Sequence, residues 1–208
     1  MKKIQMIEIS VAIGLVFSIF FSVIGFGADC REIRSNVIRL HILANSDTEE
    51  DQTVKLLVRD ALLSCGSELF GGTVSTDNAS EYLAEEKDKL IAKANEVLSE
   101  NGFDYKADMF LTEEYFPTRE YENFTLPAGE YLALKVILGK GEGHNWWCVM
   151  FPPLCLPAAT KRTDTEIILG KDGAEIISSP VKYEIRFKVV EIFEEIKAKL
   201  NHTSIYKN

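Results

Sequence analysis

The chain is poor in the residues that a dense disulfide scaffold or a zinc site would need. Its 208 residues include four cysteines and three histidines, with no CxxC and no HxxxH spacing. Neither a cysteine framework nor a four-ligand metal site is therefore written in it. Basic charge is also short: 23 Lys and Arg against 32 Asp and Glu give a net charge of −9. A general nucleic-acid binder needs a basic face to displace phosphate counterions, so nucleic acid is not an expected partner. Internal repeats and low-complexity linkers are missing. With 46% hydrophobic and 26% charged residues, wholesale disorder and collagen-like structure are excluded. What is left is one acidic globular domain with room for an appendage.

That appendage lies at the N-terminus. Lys2 and Lys3 precede residues 9–28, twenty positions without a charge. As a helix such a run reaches about 30 Å, the thickness of a bilayer core. The basic flank stays on the cytoplasmic side, which puts the rest of the chain outside. Gly25 and Gly27 supply small residues at −3 and −1 of a cut after Gly27, yet the run is also long enough for an uncleaved anchor. Residues 1–28 thus read as a signal peptide or transmembrane anchor, and residues 29–208 as a single exported domain. The bulky acid Asp29 before Cys30 argues against a lipid-modified cysteine. An anionic body does not adhere to anionic lipid by charge, so contact with the membrane is expected only through residues 9–28.

The exported part reads as α+β, an antiparallel sheet packed with two long helices and a C-terminal amphipathic helix. Residues 37–44 alternate, Ile38, Leu40 and Ile42 against Arg39 and His41, as a half-buried strand does. Ser46 and Glu49 have capping-box spacing ahead of a helix running to about Phe70. Asn78 and Glu81 open a second helix, with Gly102 placed as its C′ residue. Residues 109–116 and 130–138 are strand-like, the latter with Leu132, Leu134, Val136 and Leu138 on one face. Residues 165–169 and 174–178 flank Gly-Lys-Asp-Gly as a small hairpin. Ser179-Pro180 then starts a helix, so a hairpin and helix occupy 165–200. Its apolar stripe is Ile185, Val189, Ile192, Phe193, Ile196 and Leu200.

The most informative stretch is 139–157, GKGEGHNWWCVMFPPLCLP. Its alternating glycines are not a phosphate cradle, since no Lys-Ser/Thr follows and no helix opens there. Proline argues against an ordinary central strand. An apolar, aromatic loop either folds onto its own core or meets a partner, and both readings stay open. The contact reading assigns partner binding to Asn145, Trp146, Trp147, Phe151, Pro152 and Pro153. Outside the cell Cys148 and Cys155 are expected to pair, with Pro152-Pro153 turning the chain between them. Cys65 lies on an apolar stripe as a core thiol, and Cys30 is expected to be free.

The run from Gly143-His144-Asn145-Trp146-Trp147-Cys148 to Phe151-Pro152-Pro153-Leu154-Cys155 resembles the hallmark of the stage II sporulation protein R family. Further segments match that family in order: Ile38-Arg39-Leu40-His41-Ile42-Leu43-Ala44-Asn45-Ser46, Phe116-Pro117-Thr118 and Pro127-Ala128-Gly129-Glu130-Tyr131. The helix around Lys55 and Arg59-Asp60 is similar too. The resemblance covers a family-like core of residues 37–155 and weakens from Leu156 onward. It implies a protein made in the forespore and exported into the space between the two cells. There it would activate the membrane-embedded aspartic protease that processes pro-sigma-E in the mother cell. Arg39, Lys55 and Arg59 are secondary partner-binding candidates.

Enzymatic alternatives find less in the sequence. Cys148 with His41 or His144 lacks a third, orienting residue. His144, Cys148 and Cys155 fall short of a zinc ligand set. Adjacent acids such as Glu113 and Glu114, or Glu194 and Glu195, point apart on strands and helices rather than acting as a carboxylate pair. No catalytic residue, metal or cofactor is expected. The competing function is an exported cell-envelope enzyme, a wall hydrolase or thiol enzyme.

Overall fold

The computed structural model describes residues 3–70, 76–152, 154–155 and 162–205. It begins with α1 (Lys3–Ser35), a single helix, followed by β1 (Ile38–Leu43) and α2 (Glu49–Phe70). Next come α3 (Thr76–Glu85), α4 (Lys87–Glu100) and β2 (Ala107–Phe116). A short arm of β3 (Arg119–Glu120) and β4 (Thr125–Leu126) leads to β5 (Gly129–Leu138) and β6 (Asn145–Phe151). Two helices, α5 (Arg162–Ser178) and α6 (Pro180–Ile205), close the described chain.

The α+β class expected from the sequence is the observed one. The main sheet has the order β2-β5-β1-β6. It is mixed rather than purely antiparallel: β1 pairs with β5 in parallel, Arg39 opposite Ala133 and Leu43 opposite Ile137. The connection from β1 to β5 runs through α2, α3, α4 and β2, a crossover long enough for parallel pairing.

Alternation along the strands sorts residues between two cores. Leu40, Ile42, Leu134, Val136 and Leu138 face α2 and α4, where they meet Val54, Val58, Leu62, Leu90, Ala94 and Leu98. Gly66 of α2 is needed there, because a Cβ would lie 2.8 Å from the Met150 methyl. Tyr131, Ala133 and Val149 face the other way, into a second core with Phe116, Phe124, Leu126, Leu169 and Phe187. Phe26, Cys30 and Ile33, on one stripe at the end of α1, complete it together with Val37 just after the helix. The earlier turns of α1, residues 5–22, are exposed.

Several elements differ from the sequence reading. Thr48, not Ser46, caps α2: its Oγ1 accepts from the Asp51 N–H at 3.3 Å, while Ser46 bonds to the Asp51 carboxylate. The second long helix starts at Thr76 and breaks at Glu86, within a charged stretch that has no apolar anchor between Ala84 and Leu90. Its end follows expectation, with Gly102 at φ 82° and the Phe103 N–H bonding Leu98 O at 3.0 Å. The hairpin expected over 165–178 is α5 instead. Gly170, at φ 71°, bends this helix where a hairpin turn was read. Two apolar pieces of five residues are too short to separate a period of 2 from one of 3.6. Burial of Leu169, Ala174, Ile176 and Ile177 in the core beside α1 decides for helix.

In α6 the buried face is not the expected stripe. Phe187, Val190 and Glu194 are buried, whereas Ile185, Val189, Ile192, Phe193 and Ile196 are exposed. The placement of the Leu200 side chain lies outside the described residues. The helix carries two apolar stripes on opposite sides, and periodicity alone picked the stronger.

One ion pair ties α1, the sheet and α6 together. Arg34 Nη2 lies 3.0 Å from Glu194 Oε1, both side chains under one-tenth exposed, and Arg34 Nη1 donates to Ala128 O at 3.0 Å. Gly129, at φ +145°, leaves room for that side chain, which a Cβ would meet at 2.6 Å. Removing Arg34 leaves the buried Glu194 carboxylate with only the longer contact to Lys197, at 3.6 Å. Arg34→Ala is expected to lose about 3–5 kcal/mol in urea unfolding. The paired change Arg34→Met with Glu194→Met should recover most of it; unchanged stability in the single variant would contradict the clamp.

Candidate functional site

The aromatic run is a strand. β6 lies at the sheet edge, antiparallel to β1, with His41 opposite Trp147 and Ile42 opposite Trp146. Pro152 follows the last strand residue, so the ladder loses no donor inside β6. Pro153, a suspected contact residue, lies outside the described residues. Behind the strand, Cys148 and Cys155 are joined as a disulfide with Cα atoms 6.6 Å apart. The Val149 N–H points at Cys155 Sγ at 3.3 Å. Cys155 thus occupies the Val149 N–H of this edge strand, one donor fewer for pairing with another chain.

Strand alternation sends the two tryptophans to opposite faces. Trp146 lies on the helix side, half-buried, with the Arg59 guanidinium 4.5 Å from its ring centroid. Trp147 lies on the outer face, also half-buried, with Arg119 4.6 Å from its centroid and Phe116 at 5.1 Å. Each indole is therefore sandwiched between core and a cation, and neither is a free loop ring. Phe151, suspected of meeting a partner, is 2% exposed and packs on Phe70 at 4.9 Å. Pro152 is buried as well, while Asn145 is exposed.

The secondary candidates are further from the surface. Arg39 is fully buried, 4.3 Å from the Phe116 centroid, and bonds Cys148 O at 3.0 Å and the Tyr121 hydroxyl at 2.6 Å. Lys55 is 4% exposed and donates to His144 O at 3.0 Å and to the Gln52 side chain. It holds the entry to β6 in place, as does Asp47, which accepts from the His144 N–H at 2.6 Å. Of the three, only Arg59 reaches solvent.

Sequence reasoning missed a polar row on the outer face. Phe110, Lys135, His41 and Trp147 lie side by side across all four strands, and Phe110 is 49% exposed. His41 Nδ1 is 2.7 Å from Glu114 Oε2, and its Nε2 is 2.8 Å from Asn145 Oδ1. Lys135 bonds the other Glu114 oxygen. Burial alone would raise the Glu114 carboxyl, but hydrogen bonds from Lys135 and His41 outweigh it and hold it below the usual carboxylate range. The signal was present in the sequence: Lys135 and Glu114 interrupt otherwise apolar or β-prone strands at positions facing away from the helices.

Chemically, the row is suited to recognition by polar and aromatic contact. Both His41 nitrogens are engaged by side chains, and no hydroxyl or thiol sits against the ring among the described contacts. Cys65, half-buried, has its thiol pushed up by burial, which makes it a poor nucleophile. No group of three or more His, Cys, Asp or Glu side chains suited to a metal occurs among the described residues.

A family model described as stage II sporulation protein R matches residues 34–161. That span holds the whole sheet and both faces of β6. A curated relative, the stage II sporulation protein R of Bacillus subtilis (strain 168), is 38% identical over 123 residues. The match covers 59% of this chain and 55% of the relative, so it spans little more than half of that protein's length. No solved structure matches.

The depressed Glu114 carboxyl makes the row sensitive to acid. Its contribution to stability is complete above the unfolded-state value of about 4.3 and is lost as pH falls through the lower folded-state value. Glu114→Gln is expected to unfold at lower urea than the parent at pH 7, with the gap closing under strongly acidic conditions. A gap that stays constant with pH would show that the carboxylate charge is not what matters.

Proposed function

The chain belongs to the stage II sporulation protein R family, and on that premise we propose an exported signalling protein of sporulation. It acts from the space between forespore and mother cell on the membrane-embedded aspartic protease that processes pro-sigma-E. In this reading it does no chemistry of its own: it binds, and the protease cuts.

The observation that carries the reading is α1. An exposed, charge-free helical stretch long enough to cross a membrane runs without a break into a folded domain. A domain so held stays beside the bilayer, where the exposed parts of a membrane-embedded protease are within reach. The contact surface we assign is the edge strand and the outer face beside it: Asn145 and the accessible parts of Trp146 and Trp147, with Arg59 and Arg119 over the rings. Half-buried aromatics flanked by arginine are the side chains that contribute most at interfaces. An exported envelope enzyme remains the competing function. A thiol enzyme built on His41 would need its nucleophile at Nε2, which instead meets Asn145 Oδ1 at 2.8 Å.

Co-production of this chain with the protease and pro-sigma-E tests the proposal. The parent should give processed sigma-E, and the purified domain should release nothing from peptidoglycan. Trp146→Ala with Trp147→Ala should abolish processing while the variant stays folded by circular dichroism. Processing unaffected in that variant would remove the assigned surface, and release of wall fragments by the parent would favour the enzyme.

A further inference from the structure

α6 is apolar on two opposite sides, and only one of them is used. Phe187, Val190 and Glu194 face inward. Ile185, Val189, Ile192, Phe193 and Ile196 face solvent, between 40% and 81% exposed. The positions 185, 189, 192 and 196 follow the four-three-four spacing of a coiled-coil seam. A contiguous bare apolar row of this kind on a folded domain marks a contact surface.

The direction of α6 narrows what can cover it. Phe26 of α1 lies 5.6 Å from the Tyr183 ring and 5.4 Å from Phe187, and Arg34, further along α1, pairs with Glu194 at 3.0 Å. Both helices therefore run the same way, and α6 starts level with the end of the charge-free stretch and proceeds away from it. Phe26 is only 3% exposed within the domain core, so a cut after Gly27 would take a core ring out of the domain. We infer that α1 stays attached as an anchor and that the bare seam of α6 packs against the same seam of a second copy of this chain in the same membrane.

A shared bilayer gives two copies one orientation, with both seams standing off one surface. A two-fold axis along the membrane normal then sets Ile185, Val189, Ile192 and Ile196 each against its own counterpart, apolar on apolar. Arg186, Lys188 and Glu195 flank the seam with both signs of charge, so no block of like charge opposes the pairing. An unrelated apolar helix would fill the seam equally well by area, but nothing would impose its orientation. The seam spans about 16 Å at the rise of an α-helix, short for a stable pair in dilute solution. Confinement to a membrane raises the effective concentration that such a contact needs. The pairing rests on the part of the proposed function that reads α1 as membrane-spanning, not on any protease.

Cysteine cross-linking of the full chain in its membrane is the test. Under mild oxidant Ile192→Cys should shift to the mass of a covalent dimer, and adding Val189→Asp should abolish the shift. The parent, with its native Cys65, and Glu122→Cys, on the exposed turn of the β3–β4 arm, give the background. An intact, membrane-bound Ile192→Cys chain that cross-links no more than these controls overturns the pairing and leaves the proposed function standing. An adduct with a different protein assigns the seam to that protein and overturns it too. Intact mass reports on the anchor separately: a chain cut after Gly27 and released from the membrane overturns the proposal at its premise.

Discussion

A buried cation with no carboxylate partner among the described residues sits at the centre of the sheet. Arg39 projects from β1 into the outer core, where its guanidinium lies 4.3 Å from the Phe116 centroid, 5.1 Å from Tyr131 and 5.7 Å from Tyr121. Burial pushes its pKa down, and the nearby Tyr121 and Tyr131 work against that shift. A cation taken out of water at this cost stays only where its surroundings replace hydration. The ring faces do so in part, each such contact contributing about 2 kcal/mol when desolvated. The Cys148 carbonyl and the Tyr121 hydroxyl supply acceptors. Nη1 has no partner among the described residues, which makes the packing around it intolerant of change.

From this one side chain the placement of the proposed contact surface follows. The bond to Cys148 O holds β6 in register beside β1, and the bond to Tyr121 holds the β3–β4 arm over the outer face. With the arm fixed, Arg119 lies over Trp147, and with β6 fixed, Asn145 reaches His41. On the far face the same strand carries Trp146 beneath Arg59, and Lys55 clamps the start of β6 through His144 O. The disulfide closes the strand's trailing end. A surface built this way is rigid, and rigidity lowers the ordering cost of binding a partner. Under the proposed anchoring, α1 also sets the domain's position relative to the membrane, because its last turns are core rather than linker.

Much of this was legible in the sequence, for identifiable reasons. β1 and β5 were legible because one apolar face of each packs on α2 and α4, although β1, read as half-buried, is buried on its other face too. Gly102 marked the end of α4 because a left-handed residue was needed there. The disulfide-bonded pair and the aromatic run were visible as composition. What sequence could not show is where a charge ends up. Arg39 and Lys55 read as surface contacts, since cations are seldom fully buried. Their burial depends on rings and carbonyls from Phe116, Tyr121, Tyr131 and His144, far away along the chain. Residues 145–151 read as a loop because of prolines that prove to follow the strand. In α5 and α6 the local pattern fitted two answers, and only the tertiary neighbours α1 and β4 selected one.

Urea unfolding of Arg39→Lys is the most direct measurement of this organisation. Lysine keeps the charge but lacks the planar fork that bonds two acceptors while stacking on rings. If the guanidinium holds β6 and the arm together, the variant should lose about 2–3 kcal/mol, the worth of hydrogen bonds to a charged group. Exchange of the amide protons of β6 should become faster with it. A variant as stable as the parent, with β6 equally protected, would contradict the central place given to Arg39.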